Sequence, residues 1–150
     1  MKELKVLNLR ANKISDISVL SKAKFNKLTK LELSYNEIKD INSLAEVKFY
    51  QLSKLYLDFN SISNINALEK VKFDQLEILG LNDNKISDIT ILEKVNFKNL
   101  KELDLSYNKI SEIDVLKKVS LDKLEILDLG NNNISDITVL ENINIGELRE

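Results

Sequence analysis

Four aspartates, Asp16, Asp40, Asp88 and Asp136, stand at multiples of 24 residues from one another. A file of carboxylates at fixed spacing could ligate calcium as a ladder. Each is a lone acid preceded by Ser or Lys, however, and a calcium cage needs about six to eight oxygens. A turn or capping role suits these residues better. Other reactive types are scarce: the chain has no His and no Cys. That removes a Ser-His-Asp triad, a histidine acid–base pair, a cysteine nucleophile and a Cys/His zinc site. The three Gly are isolated, so there is no phosphate-cradling loop. Acids are plentiful but fall mostly in exposed positions beside Lys. With no reactive constellation, the chain reads as non-catalytic, with no metal and no cofactor.

What remains is recognition chemistry. Three of the four Tyr, the one Phe outside the core pattern, and a set of charged residues share one surface. The candidate partner-binding residues are Tyr35, Lys54, Tyr56, Asp58, Phe59, Asp83, Asp104, Tyr107 and Asp128. Exposed Tyr and Phe are common interface anchors. Tyr35, Tyr56, Asp58 and Phe59 would form the centre, and the acids toward the C-terminal half could meet a basic partner. The plain alternative is that the aromatics shield a turn and the acids form a solvated edge.

The element that positions them is a repeat. Units of 24 residues begin at Leu4, Leu28, Leu52, Leu76, Leu100 and Leu124, and a seventh begins at Leu148. Numbering each unit from its first Leu, columns one, four, six and seventeen are Leu and columns eleven and fourteen are Ile in all six units. Column nine is Asn throughout, from Asn12 to Asn132. Column twenty is Ala, Val or Ile, ending at Ile143, and column twenty-two is Phe, Leu or Ile, ending at Ile145. Fixed self-similarity of this kind marks a stacked array in which neighbours bury what one unit cannot.

The alternation about columns four and six predicts one short strand per unit, paired in parallel with the next. Columns three, five and seven then point away from the core, with column eight at the strand end. Asn in column nine has both donor and acceptor, and predicts a buried polar ladder through the turns. Column fifteen holds Ser18, Asn42, Asn66, Thr90, Asp114 and Thr138, which predicts helix N-caps. Glu69, Glu93 and Glu141, three residues later, predict capping boxes. A short helical turn would run from there to about column twenty.

The pattern L-x-x-L-x-L-x-x-N-x-I-x-x-I-x-x-L resembles a leucine-rich repeat and covers essentially the whole chain, residues 1–150. The segments NKISDI at Asn12–Ile17 and Asn84–Ile89, and NNISDI at Asn132–Ile137, resemble the internalin group and related short repeats of regulatory proteins. Those repeats have about 22 residues; this one has 24, and lacks the Pro common before their outer Leu. The resemblance implies an α/β solenoid, a right-handed superhelix with a parallel concave sheet and short helical turns on the convex side. It further implies protein binding through the concave face and no catalytic residues.

Residues 1–75 carry 13 Lys/Arg against 9 Asp/Glu, and residues 76–150 carry 9 against 15. The near-balanced total gives no reason to bind nucleic acid or an anionic membrane, and no apolar run reaches a membrane span. The uneven placement would make the array dipolar. MKELKVLNLR lacks the apolar core of a signal peptide, which leans the reading toward the cytoplasm; the sequon at Asn133 is too weak to argue secretion. Polar end caps are missing, so the expectation is a piece of a longer array, an end-to-end self-associating unit, or an engineered scaffold with no natural ligand.

Overall fold

The computed structural model describes residues 2–119 and 121–142. Each of the six units contributes one three-residue strand: β1 Val6–Asn8, β2 Lys30–Glu32, β3 Lys54–Tyr56, β4 Ile78–Gly80, β5 Glu102–Asp104 and β6 Ile126–Asp128. They form a single parallel sheet in chain order. Register follows the period, so Leu31 lies beside Leu7 and Leu55. Pairing continues beyond each strand: the Leu33 amide donates to the Tyr56 carbonyl at 2.9 Å, and Tyr35 to Asp58 at 2.9 Å. The molecule is a leucine-rich-repeat-type solenoid, one turn of chain per unit.

Opposite the sheet lie short 3-10 turns, Ser18–Lys22, Asn42–Glu46, Asn66–Glu69, Thr90–Glu93, Asp114–Lys117 and Thr138–Asn142. Among the described residues no segment is α-helical. Four or five residues cannot repay helix nucleation alone, so the first five turns rest on their buried Leu and the sixth on the buried Val139. The column-fourteen Ile carbonyl opens each of them, as in Leu44 N–H to Ile41 at 2.9 Å.

The column-fifteen residues are not the caps. In the first five units the residue before the helical turn is Ile, and no side chain caps it. The boxes predicted at Glu69 and Glu93 are therefore absent. The acceptor stands two residues earlier than column fifteen. Asp16 takes the Ser18 N–H at 2.7 Å, Asp40 the Asn42 N–H at 2.6 Å, Asn64 the Asn66 N–H at 2.8 Å, Asp88 the Thr90 N–H at 2.8 Å, and Asp136 the Thr138 N–H at 2.8 Å. An Asx turn leads into the coil and leaves column fifteen inside it. The Ser18 N–H on Asp16, the Thr90 hydroxyl and then its N–H on Asp88, and the Thr138 N–H on Asp136 hold these carboxyls below the usual aspartate range. The aspartate file is thus built into turns.

The core runs between sheet and coils. Leu28, Leu52, Leu76 and Leu100, and the column-four and column-six Leu of units two to five, are fully buried. Column sixteen also enters the core: Ala67, Ile91, Val115 and Val139 are buried, although Val19 is exposed. The end units fit the expected core less well, because Ile137 and Leu140 face solvent and Leu4, Leu7 and Leu9 are half-buried. Ile143, Ile145 and the unit beginning at Leu148 lie outside the described residues.

Candidate functional site

The candidate site is the outward face of the sheet and the row where the chain leaves it. That row is column eight, and all six of its residues have left-handed backbone: φ is 56° at Ala11, 58° at Tyr35, 52° at Phe59, 48° at Asp83, 52° at Tyr107 and 53° at Asn131. Asp and Asn tolerate this conformation; Tyr and Phe adopt it at a cost of about 1–3 kcal/mol.

The column-nine Asn next in sequence hold the turn in place. Asn60 donates to the carbonyls of Leu57, Asp58 and, one unit back, Leu33 at 3.0–3.1 Å, and accepts the Ile38 N–H at 2.9 Å. Asn84 and Asn108 repeat this pattern and are buried. Every Asn after the first thus staples its turn to the preceding unit, as the sequence predicts.

One consecutive pair of column-eight side chains stacks along the array. The Tyr35 and Phe59 rings lie 4.0 Å apart at 14°. On the other side of Tyr35 sits the Arg10 guanidinium, 4.2 Å from the ring centroid. This places three groups in one column, with Tyr35 and Phe59 remaining 41% and 38% exposed.

Next to it, on the sheet proper, the Lys30 ammonium lies 4.9 Å from the Tyr56 ring and 3.7 Å from the Glu32 carboxylate. Glu32 is buried and accepts the Ser34 N–H at 3.2 Å. Burial first, then the negative charges of Glu102, Glu32 and Asp58, raise the Tyr56 hydroxyl above its ordinary pKa.

Asp58 occupies the middle of the face. It accepts from the Ser34 hydroxyl at 3.1 Å and the Asn82 N–H at 2.9 Å. Its carboxylate lies where a side chain at residue 80 would begin: a Cβ on Gly80 would stand 2.6 Å from Asp58 Oδ1. Glycine at column five of β4 is what admits the carboxylate. Loss of water raises the Asp58 carboxyl above its usual value, against the two hydrogen bonds, and Asp104 adds to the rise. A polar chain continues from there: Asn82 Nδ2 donates to the Ser106 hydroxyl at 2.6 Å, which donates to Asp104 at 2.5 Å.

The structure thus gathers Tyr35, Phe59, Tyr56, Asp58 and Asp104 into connected surroundings. Lys54 is half-buried between the strand neighbours Lys30 and Ile78. Asp128 stands apart and accepts the Gly130 N–H at 2.8 Å. Asp83 and Tyr107 are exposed in the column-eight row. Arg10 and Lys30 join the site unforeseen. Their signal was diagonal: each lies one unit before its aromatic partner and one or two columns off, a contact that column-by-column reading does not consider.

A leucine-rich repeat family model matches residues 2–62, and a model of two copies of leucine-rich repeats matches residues 98–142. Among solved structures, an internalin of Listeria monocytogenes is similar at 30% identity and a TM-score of 0.64, over 95% of this chain and 46% of its own. This chain therefore spans under half of that relative's length. Internalin C2 of the same organism matches at 31% identity and 0.71, over 97% of this chain and 70% of its own. The ectodomain of a plant membrane receptor kinase from Arabidopsis thaliana, solved in complex with CASPARIAN STRIP INTEGRITY FACTOR 2, matches at 25% identity and 0.70, over 95% of this chain and 18% of its own. No curated protein sequence matches the chain.

Proposed function

Since the chain belongs to the leucine-rich repeat family, we propose that it is a non-catalytic protein–protein interaction module that holds its partner on the concave sheet face. One observation carries this reading. Bulky aromatic side chains occupy left-handed backbone at Tyr35, Phe59 and Tyr107 and stay exposed there. The turn imposes this backbone on every described unit, whatever the side chain; large rings carried there at a conformational cost, and left exposed, are not accounted for by core burial and suit a binding surface. The plant receptor ectodomain in its complex supports a protein or peptide as the class of partner. Tyr35, Tyr56, Asp58 and Phe59 form the centre, with Lys54 on one flank and Asp83, Asp104, Tyr107 and Asp128 on the other.

The test is a display or pull-down screen with the wild-type chain, followed by the double variant Tyr56→Ala, Phe59→Ala. Capture of the selected partner should weaken on the order of a hundredfold, with the far-ultraviolet spectrum unchanged. Undiminished capture by a folded double variant would remove the assigned centre.

A second reading, an assembly element joined end to end, draws on the exposure of Ile137 at 64% and Leu140 at 48%. Sedimentation at increasing concentration separates the two: assembly through the ends grows with concentration and disappears in Ile137→Asp.

A further inference from the structure

We propose that Phe59, Asp83 and Tyr107 form a slot for one cationic side chain, the guanidinium of an arginine presented by the protein partner. The biological occupant rests on the interaction reading above; the slot itself rests on the following geometry. Column eight runs Ala11, Tyr35, Phe59, Asp83, Tyr107, Asn131, one residue per unit. Tyr35 and Phe59 are adjacent in this row and their rings stack directly. Phe59 and Tyr107 are separated by one unit, whose residue is the short Asp83. Adjacent strands are about 4.8 Å apart, so the two aromatic positions are roughly 10 Å apart. Both leave the backbone at φ 52°, which launches their Cβ atoms alike. That interval is close to twice the 4.2 Å at which a guanidinium already sits on a ring of this row.

The N-terminal end of the same row supplies the precedent. There the column-eight residue is again small, Ala11, and the face of Tyr35 that Phe59 does not cover is taken by Arg10. Unit four repeats the arrangement without its own cation. The column-seven residue in Arg10's place is Asn82, whose side-chain amide is turned to the Ser106 hydroxyl at 2.6 Å. Asp83 replaces Ala11 and supplies a carboxylate, exposed and without a hydrogen bond or ion pair from the described residues. A guanidinium entering here gains an anion at the base and an aromatic side chain on each flank, the geometry that makes cation–π contacts strong. Lys or Arg from this chain does not fill it among the described residues, which leaves it for another molecule.

The probe is the blocked peptide acetyl-Gly-Arg-Gly-amide, with its citrulline counterpart as a neutral control of the same shape. Both are titrated into the isotopically labelled full chain and followed by nuclear magnetic resonance. The arginine peptide should give saturable shifts centred on Phe59, Asp83 and Tyr107, and the citrulline peptide should bind on the order of tenfold more weakly. Asp83→Asn keeps a residue suited to left-handed backbone and should weaken the arginine peptide several-fold; Glu46→Gln, which removes one exposed charge from the opposite side of the coil, should leave it unchanged. Equal binding of the two peptides, or an equal loss in Glu46→Gln, would overturn the slot. Tyr107→Leu leaves the proposed centre at Tyr56 and Phe59 intact. If it abolishes peptide binding but not partner capture, the partner places no arginine there, and the slot as a partner site is wrong while the interaction reading survives. If the peptide binds but no partner is ever captured, the interaction reading falls and the slot's chemistry stands.

Discussion

Ile89 and Ile137 hold the same column of the repeat, are the same residue type, and are preceded by the same tripeptide, yet one is 1% exposed and the other 64%. Leu92 and Leu140 differ likewise, 1% against 48%. The local chain cannot account for this, since both pairs sit at the same place in their 3-10 turns. A unit's outer side is buried by the unit that follows it, so the middle of the array owns a core that the last described unit only half possesses. Interior character in this molecule is a relation between neighbours.

The comparison is sharpest in the hydrophobic columns. Leu92→Ala should cost about 2–5 kcal/mol in urea unfolding, as truncation of a fully buried Leu does, while Leu140→Ala should cost less than about 1 kcal/mol. Equal losses would mean that Leu140 of the last described unit is as buried in solution as Leu92 in the middle of the array, and would contradict the contrast. A smaller contrast is expected for the Asn ladder. Asn84 is buried, donates to the carbonyls of Leu57, Leu81 and Asn82, and accepts the Ile62 N–H. Asn12 is exposed and donates to Leu9 and Arg10 within its own unit. Asn84→Ala should lose about 3 kcal/mol by leaving buried groups unpaired, and Asn12→Ala about 1 kcal/mol. Amide hydrogen exchange at Ile62 should quicken in the first variant alone.

The smallest effect is one of sign. Asp58, in the middle of the sheet, has its folded pKa raised by burial. Its contribution to stability is complete below the unfolded value of 3.8 and is lost as pH rises through the elevated folded value. Asp136, in the last described unit, has its pKa lowered by the Thr138 hydrogen bonds. Its contribution is present above 3.8 and is lost as pH falls through the depressed value. Relative to wild type, Asp58→Asn should therefore lose its advantage on acidification from neutral pH, and Asp136→Asn should gain on acidification. Unfolding midpoints measured from neutral to acid pH would expose parallel curves, which would contradict the assigned environments.

Much of the fold was written in residue types at fixed spacing. Leu at columns one, four and six, Ile at eleven and fourteen, and Asn at nine fix the period, the parallel strand and the polar ladder, because every unit faces the same need to bury the same side chains. The turn acceptor was also legible: Asp16, Asp40, Asp88 and Asp136 were readable as turn residues, although column fifteen drew the cap assignment away from them. Column sixteen escaped because Ser43 and the small Ala67 interrupt its apolar character. Asp83 and Asn131 hinted at the left-handed row, since their side chains suit that backbone, but Tyr35, Phe59 and Tyr107 argued against it. What the tertiary structure alone decided are the contacts between units: Arg10 on Tyr35, Tyr35 on Phe59, Lys30 against Tyr56, and the Asp58 carboxylate in the space that Gly80 leaves. These partners lie a full coil apart along the chain and a strand's width apart in space. Their meeting depends on register and side-chain direction, quantities that composition and periodicity do not carry.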